Sequence, residues 1–118
     1  MAQSALAPAP VLAADDDTAH RFVQIRRYSV PPDEVDEFLR RVQQGFVPVI
    51  SSLPGFAGYY ALDLGRGCLE FANIFETAEQ AAASLETATH WVAQCLADLH
   101  ALRTEVLTGR IRLSVSKG

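Results

Sequence analysis

Residues 26–63 read RRYSVPPDEVDEFLRRVQQGFVPVISSLPGFAGYYALD, and the fold is decided by three changes of pattern within them. Up to the prolines the chain is extended. Residues 21–30 are rich in β-branched and aromatic side chains, with Val23 and Ile25 on one face and Phe22 and Tyr28 on the other, which predicts a first strand. Pro31 and Pro32 end it. Apolar residues then recur at Val35, Phe38, Leu39, Val42, Phe46, Val49, Ile50 and Leu53, the stripe of a long amphipathic helix. Asp33 is placed to cap that helix, with Glu34, Asp36 and Glu37 near the positive end of its dipole. Gly45 and Pro48 interrupt the stripe and predict a kink near Gln44. Pro54 and Gly55 stop the helix, and Phe56 to Leu64, with Tyr59 and Tyr60, resumes an extended pattern.

Working outward, Gly65, Arg66 and Gly67 make a tight connection into a third strand from Cys68 to Glu76, so strands two and three form a hairpin. Thr77 and Gln80 have capping-box spacing. The second helix they open is expected to run to Leu102, because no Gly or Pro interrupts it, with a buried stripe of Ala81, Leu85, Ala88, Val92, Cys95, Leu96 and Leu99. A fourth strand is expected from Gly109 to Ser116, where Ile111, Leu113 and Val115 alternate with polar residues. The order is βαββαβ. Two right-handed crossovers place both helices on one face of a four-stranded antiparallel sheet, a ferredoxin-like α+β fold.

That arrangement leaves one sheet face bare. Strands two and three carry large side chains on both parities, Phe56, Tyr60 and Leu62 against Tyr59, and Leu69, Phe71 and Phe75 against Ile74. A contiguous apolar face of this kind is rarely left open to water, and a two-fold homodimer is the simplest cover.

The chain has 118 residues, enough for one core and too few for two, so a single domain is expected over 21–116. Residues 1–20, rich in Ala and Pro and then acidic, read as a flexible tail without the basic start of a signal peptide. The formal net charge is -4, and Lys117 is the only lysine, which argues against nucleic acid as a partner. No apolar run approaches the ~20 residues that span a bilayer, and no membrane association is expected. Cys68 and Cys95 lack ligand or redox spacing and read as buried thiols in a cytoplasmic protein. No HxxxH pair, glycine-rich phosphate loop or nucleophile elbow is present, so no metal site is expected.

The runs quoted above and FANIFETAEQAAASLETATHWVAQCL (71–96) resemble antibiotic biosynthesis monooxygenase-like domains of the dimeric α/β-barrel superfamily. The marks are PGF at Pro54 to Phe56, FET at Phe75 to Thr77, and Trp91. The resemblance implies two sheets packed into a dimeric barrel and oxidation of small aromatic or polycyclic substrates by O2 with no cofactor; related members degrade heme. It also implies an asparagine and a tryptophan in a pocket between sheet and helices, here Asn73 and Trp91 as catalytic candidates.

Each candidate has a plainer use. Asn73 either meets a ligand or satisfies a backbone group, and Trp91 either walls a pocket or simply packs. Tyr59 and Tyr60 point to opposite faces; Tyr60, sharing parity with Phe56 and Leu62, is the preferred ligand-binding residue, with an interface as its alternative. Arg26 either neutralises an acidic or enolate ligand or forms an ion pair. His90 falls away from the buried stripe. The leading expectation is an oxygenase-like protein; the alternative is a non-enzymatic dimerisation or regulatory module. An open cavity reaching Asn73 and Trp91 favours the first, and a core filled by Phe38, Phe46, Phe71 and Trp91 favours the second.

Overall fold

The computed structural model describes residues 18–117, so the expected tail, 1–20, lies outside the described residues except for 18–20, a turn in which the His20 N–H donates to the Ile111 carbonyl at 2.9 Å. Four strands, β1 (Phe22–Ser29), β2 (Phe56–Asp63), β3 (Cys68–Phe75) and β4 (Leu102–Arg110), form one sheet in the order β2-β3-β1-β4. Every neighbouring pair is antiparallel. The ferredoxin-like α+β reading therefore holds.

The first helical segment comes in pieces: a 3-10 turn at Pro32–Glu34, α1 (Val35–Arg41), a π-helical turn at Val42–Phe46, and α2 (Val47–Ser51). Pro32 sits in the first turn and no side chain caps it. The expected Asp33 cap is thus replaced by proline, whose fixed φ starts a helix without needing an N–H partner. The irregularity expected near Gln44 is the π turn. Pro48 lacks the N–H that the carbonyl of Gln44 would accept in an α-helix, and the N–H of Val47 reaches back to the carbonyl of Val42. The second helix, α3 (Ala78–Cys95), opens with the capping box in full: Thr77 Oγ1 accepts from the Gln80 N–H and Gln80 Oε1 from the Thr77 N–H, both at 3.1 Å.

Both helical segments cover the same sheet face. Phe38 packs on Tyr28 and Phe71, with centroids 5.7 and 5.9 Å apart, and Ser84 of α3 meets Arg26 of β1. The core is this layer, where Tyr28, Phe38, Phe46, Ile50, Leu69, Phe71, Phe75 and Ala88 are buried.

Three expectations are corrected. The second helix ends at Cys95 and the fourth strand is Leu102–Arg110, in place of a helix to Leu102 and a strand from Gly109 to Ser116. The stop is tertiary. Arg41 donates to the Cys95 carbonyl at 3.1 Å and to both oxygens of Asp98 at 2.7 and 3.0 Å. Glu34 accepts the His100 N–H and bonds its Nδ1, each at 2.7 Å. The first half of the first helical segment thus holds the loop from which β4 returns to β1. Finally, Cys95 is exposed and Cys68 half-buried, both free, because the buried line on α3 runs through Ala81, Ser84 and Ala88 instead.

The Glu34–His100 pair carries a pH signature. Hydrogen bonds from His100 lower the Glu34 pKa, and the Glu34 carboxylate raises that of His100. Stability from the lowered carboxylate is present above its ordinary value of 4.5 and lost as pH falls through the folded value. Stability from the raised imidazole is present below its ordinary 6.5 and lost as pH rises through the folded value. The Tm difference between wild type and His100→Ala is therefore expected to be larger near about pH 5.5 than near about pH 8.5. An equal difference at both, by circular dichroism melting, contradicts the pairing.

Candidate functional site

Along β1, Gln24, Arg26 and Tyr28 alternate with Val23, Ile25 and Arg27, so the first set faces the helices. A cationic side chain is thereby placed in the core. Arg26 is only 2% exposed, and the structure meets its charge with neutral groups. Its Nη1 donates to Gln24 Oε1 at 2.6 Å and to Ser84 Oγ at 3.4 Å, and its Nη2 to Asn73 Oδ1 at 2.6 Å. The cradle is itself braced. Asn73 Nδ2 donates to the carbonyls of Gln24 and Phe71 at 3.1 and 3.3 Å, and Ser84 Oγ donates to the Ala81 carbonyl at 2.7 Å. Burial pushes the Arg26 pKa down from the ordinary arginine range, as expected for a charge removed from water.

Beside the guanidinium lies a cavity between sheet and helices. Its aromatic wall joins Phe46 of the π turn to Trp91 of α3 at 5.2 Å and to Tyr59 of β2 at 6.0 Å, and stacks Tyr59 on Phe71 at 6.1 Å. Phe38, Val42, Ala88 and Val92 complete the apolar lining. Desolvation raises the Tyr59 pKa, so its phenol stays protonated near neutrality. Among the described residues, no carboxylate, histidine, lysine or cysteine lines it. The space, mouth included, is about 270 Å³, but it is so narrow that the centre of a water molecule has only about 20 Å³ to occupy, room for about one. Gly45 lets the indole lie this close, since a Cβ there would stand 2.9 Å from Trp91 Cζ2.

The four sequence candidates separate. Arg26 and Trp91 both line the cavity. Asn73 is fully buried and lies behind Arg26, outside the lining, with its amide committed to the guanidinium and two carbonyls. Tyr60 is 62% exposed and Tyr59 stands in the place expected for it. A bulge between Phe56 and Gly58 shifts the register of β2, so Phe56 and Tyr59 reach the same face despite their unlike parity. His90 is exposed on α3. The residues missed were Tyr59, Gln24 and Ser84. Gln24 shares the parity of Arg26 and Tyr28, and Ser84 falls one turn from Ala81 and Ala88, so both were available to an inspection of faces. The bulge left no such signal. Among the described residues no three His, Cys, Asp or Glu side chains converge.

A sequence model of antibiotic biosynthesis monooxygenases matches residues 21–94. No curated protein matches the chain by sequence. Among solved structures, the heme-degrader MhuD from Mycobacterium tuberculosis, with two hemes bound in its active site, is similar over 80% of this chain and 99% of its own, at 22% identity and TM-score 0.65. SnoaB, a cofactor-independent oxygenase from Streptomyces nogalater, is similar over 84% of this chain and 100% of its own, at 16% identity and TM-score 0.59. HapK from Hahella chejuensis is similar over 82% and 98%, at 16% identity and TM-score 0.62.

The cradle predicts a coupling. Asn73→Ala leaves a buried N–H and two carbonyls short of partners and is expected to lower stability by about 1–3 kcal/mol. With Arg26→Met already in place, the cost should fall by about 1 kcal/mol or more. Urea denaturation of the four proteins checks this, and strict additivity contradicts it.

Proposed function

Because the chain belongs to the antibiotic biosynthesis monooxygenase family, we propose that it binds a small aromatic or polycyclic ligand between sheet and helices and oxidises it with O2, the ligand supplying the electrons. The observation that carries this reading is an aromatic-walled cavity around one buried cationic side chain. A hydroxyaromatic ionises, its ring carbon adds O2 to form a peroxide, and loss of water leaves a carbonyl. In sum the ring C–H, the hydroxyl C–OH and O2 become two C=O groups and H2O. Arg26, the cation of the wall, stabilises negative charge on the bound ligand. Trp91, Phe46 and Tyr59 keep water from the intermediate. Asn73 is a positioning residue that acts through Arg26. No lining residue is a base at neutral pH, so binding selects the ionised ligand and the proton goes to solvent. The description of SnoaB as cofactor-independent supports a reaction without a prosthetic group.

The ligand enters only by displacing the aromatic wall. That narrowness favours the second reading, a non-enzymatic ligand-binding or regulatory module, since Phe38, Phe46, Phe71 and Trp91 occupy most of the space.

A homodimer through the open sheet face belongs to the same proposal. Val23 pairs with Ile74 and Ile25 with Ala72 and Leu107 on that face, and Tyr60, Leu62 and Leu107 are 62, 41 and 50% exposed. A second copy covers them and sets Tyr60 in the interface. The free thiols at Cys68 and Cys95 fit the reducing cytoplasm; no helix among the described residues is long and apolar enough to cross a membrane.

Native mass spectrometry of the purified protein addresses both parts. The expected result is twice the chain mass with a co-purifying aromatic compound, which then drives O2 uptake at an oxygen electrode. A monomer at micromolar concentration overturns the dimer, and a bound compound that supports no O2 uptake favours the module over the oxygenase.

A further inference from the structure

We propose that the ligand is anchored through a carboxylate, and that Arg26 with its cradle is a receptor for an aromatic carboxylic acid. The inference rests on the cavity reading above and names the ligand class.

Three observations lead to it. The first is a charge imbalance. Four arginines of the chain, Arg21, Arg27, Arg40 and Arg41, have carboxylate partners within 4 Å, whereas Arg26, the most buried cation, has only amides and a hydroxyl. A cation taken out of water is offset better by an anion, with its opposite charge, than by neutral dipoles alone. The second is donor capacity. The three bonds use three of the five guanidinium N–H groups, leaving two, and Arg26 is part of the cavity wall. A carboxylate is the group that takes two guanidinium N–H bonds at once.

The third observation separates a carboxylate from a phenolate. With no carboxylate, histidine or lysine in the lining, nothing in the cavity accepts the proton of a phenol, which is un-ionised at neutral pH. A carboxylic acid arrives already charged. The flat, apolar walls formed by Phe46, Tyr59 and Trp91 then take the conjugated ring. In the oxygenase reading, the ring hydroxyl that reacts and the carboxylate that anchors are separate groups of one ligand.

The test is isothermal titration of the full chain at neutral pH with 2-naphthoate, its neutral isostere 2-naphthamide, and 2-naphthol. Trp91, the only tryptophan, serves as a fluorescence reporter of cavity occupancy. The expected result is that naphthoate binds about ten-fold or more tightly than naphthamide, and that Arg26→Met abolishes the preference by weakening naphthoate. If that variant fails to fold, Arg26→Gln or the wild-type ligand series alone decides. Equal binding of naphthoate and naphthamide overturns the carboxylate anchor and leaves the aromatic cavity standing. Naphthol binding that exceeds naphthoate and rises with pH overturns the carboxylate in favour of an ionised ring oxygen. Binding of none of the three overturns the anchor, and O2 uptake with a co-purified ligand then judges the cavity reading separately.

Discussion

A guanidinium in the core without an acid beside it constrains much of this structure. Removing such a charge from water costs several kcal/mol after relaxation, and the protein offsets that with a short hydrogen bond from each of two strands and a longer one from a helix. Gln24 on β1, Asn73 on β3 and Ser84 on α3 converge on Arg26. Gln24 and Asn73 are direct partners in the β1–β3 ladder, and Asn73 is tied by its own amide to the Gln24 carbonyl. Ser84 lies on the buried line of α3 with Ala81 and Ala88, so the cradle is part of the same helix–sheet contact. A buried polar cluster thus also takes part in the packing of a helix.

The aromatic layer is built around the same point. Tyr28 lies edge-on to Phe71, with Phe38 against both, on one side of the cavity; Phe46, Tyr59 and Trp91 close the other. Phe46 owes its place to the π turn, which exists because Pro48 cannot donate a hydrogen bond. π turns recur at functional sites because they aim side chains that a regular helix would point elsewhere. Here one carries two wall residues, Val42 and Phe46, and Gly45, against which the indole lies.

The order of elements was legible because it rests on local chemistry: prolines at 31, 32 and 54, the Thr77–Gln80 box, and the glycines of the hairpin. The end of α3 was not, since it depends on Arg41 and Glu34 reaching across from a segment more than fifty residues away. With no Gly or Pro to mark the stop, the alternation at Ile111, Leu113 and Val115 drew the fourth strand too far along the chain. The site was legible by half. Arg26 and Trp91 both line the cavity, whereas a bulge places Tyr59 in the wall and Tyr60 on the open face, and Asn73 bonds its neighbour Arg26. Local pattern cannot show which polar groups a cation will recruit from other elements.

On the proposed reading, the ligand binds under the helices on Arg26 and not on the open sheet face. Crystals grown with 4-bromobenzoate test it most directly, because the anomalous signal of bromine locates the ring independently of the protein model. Bromine is expected among Phe46, Tyr59 and Trp91, with the carboxylate on the Arg26 guanidinium and the wall displaced outward. Bromine on the open face beside Tyr60 and Leu107, with the Arg26 cradle unchanged and the cavity still closed, would contradict it.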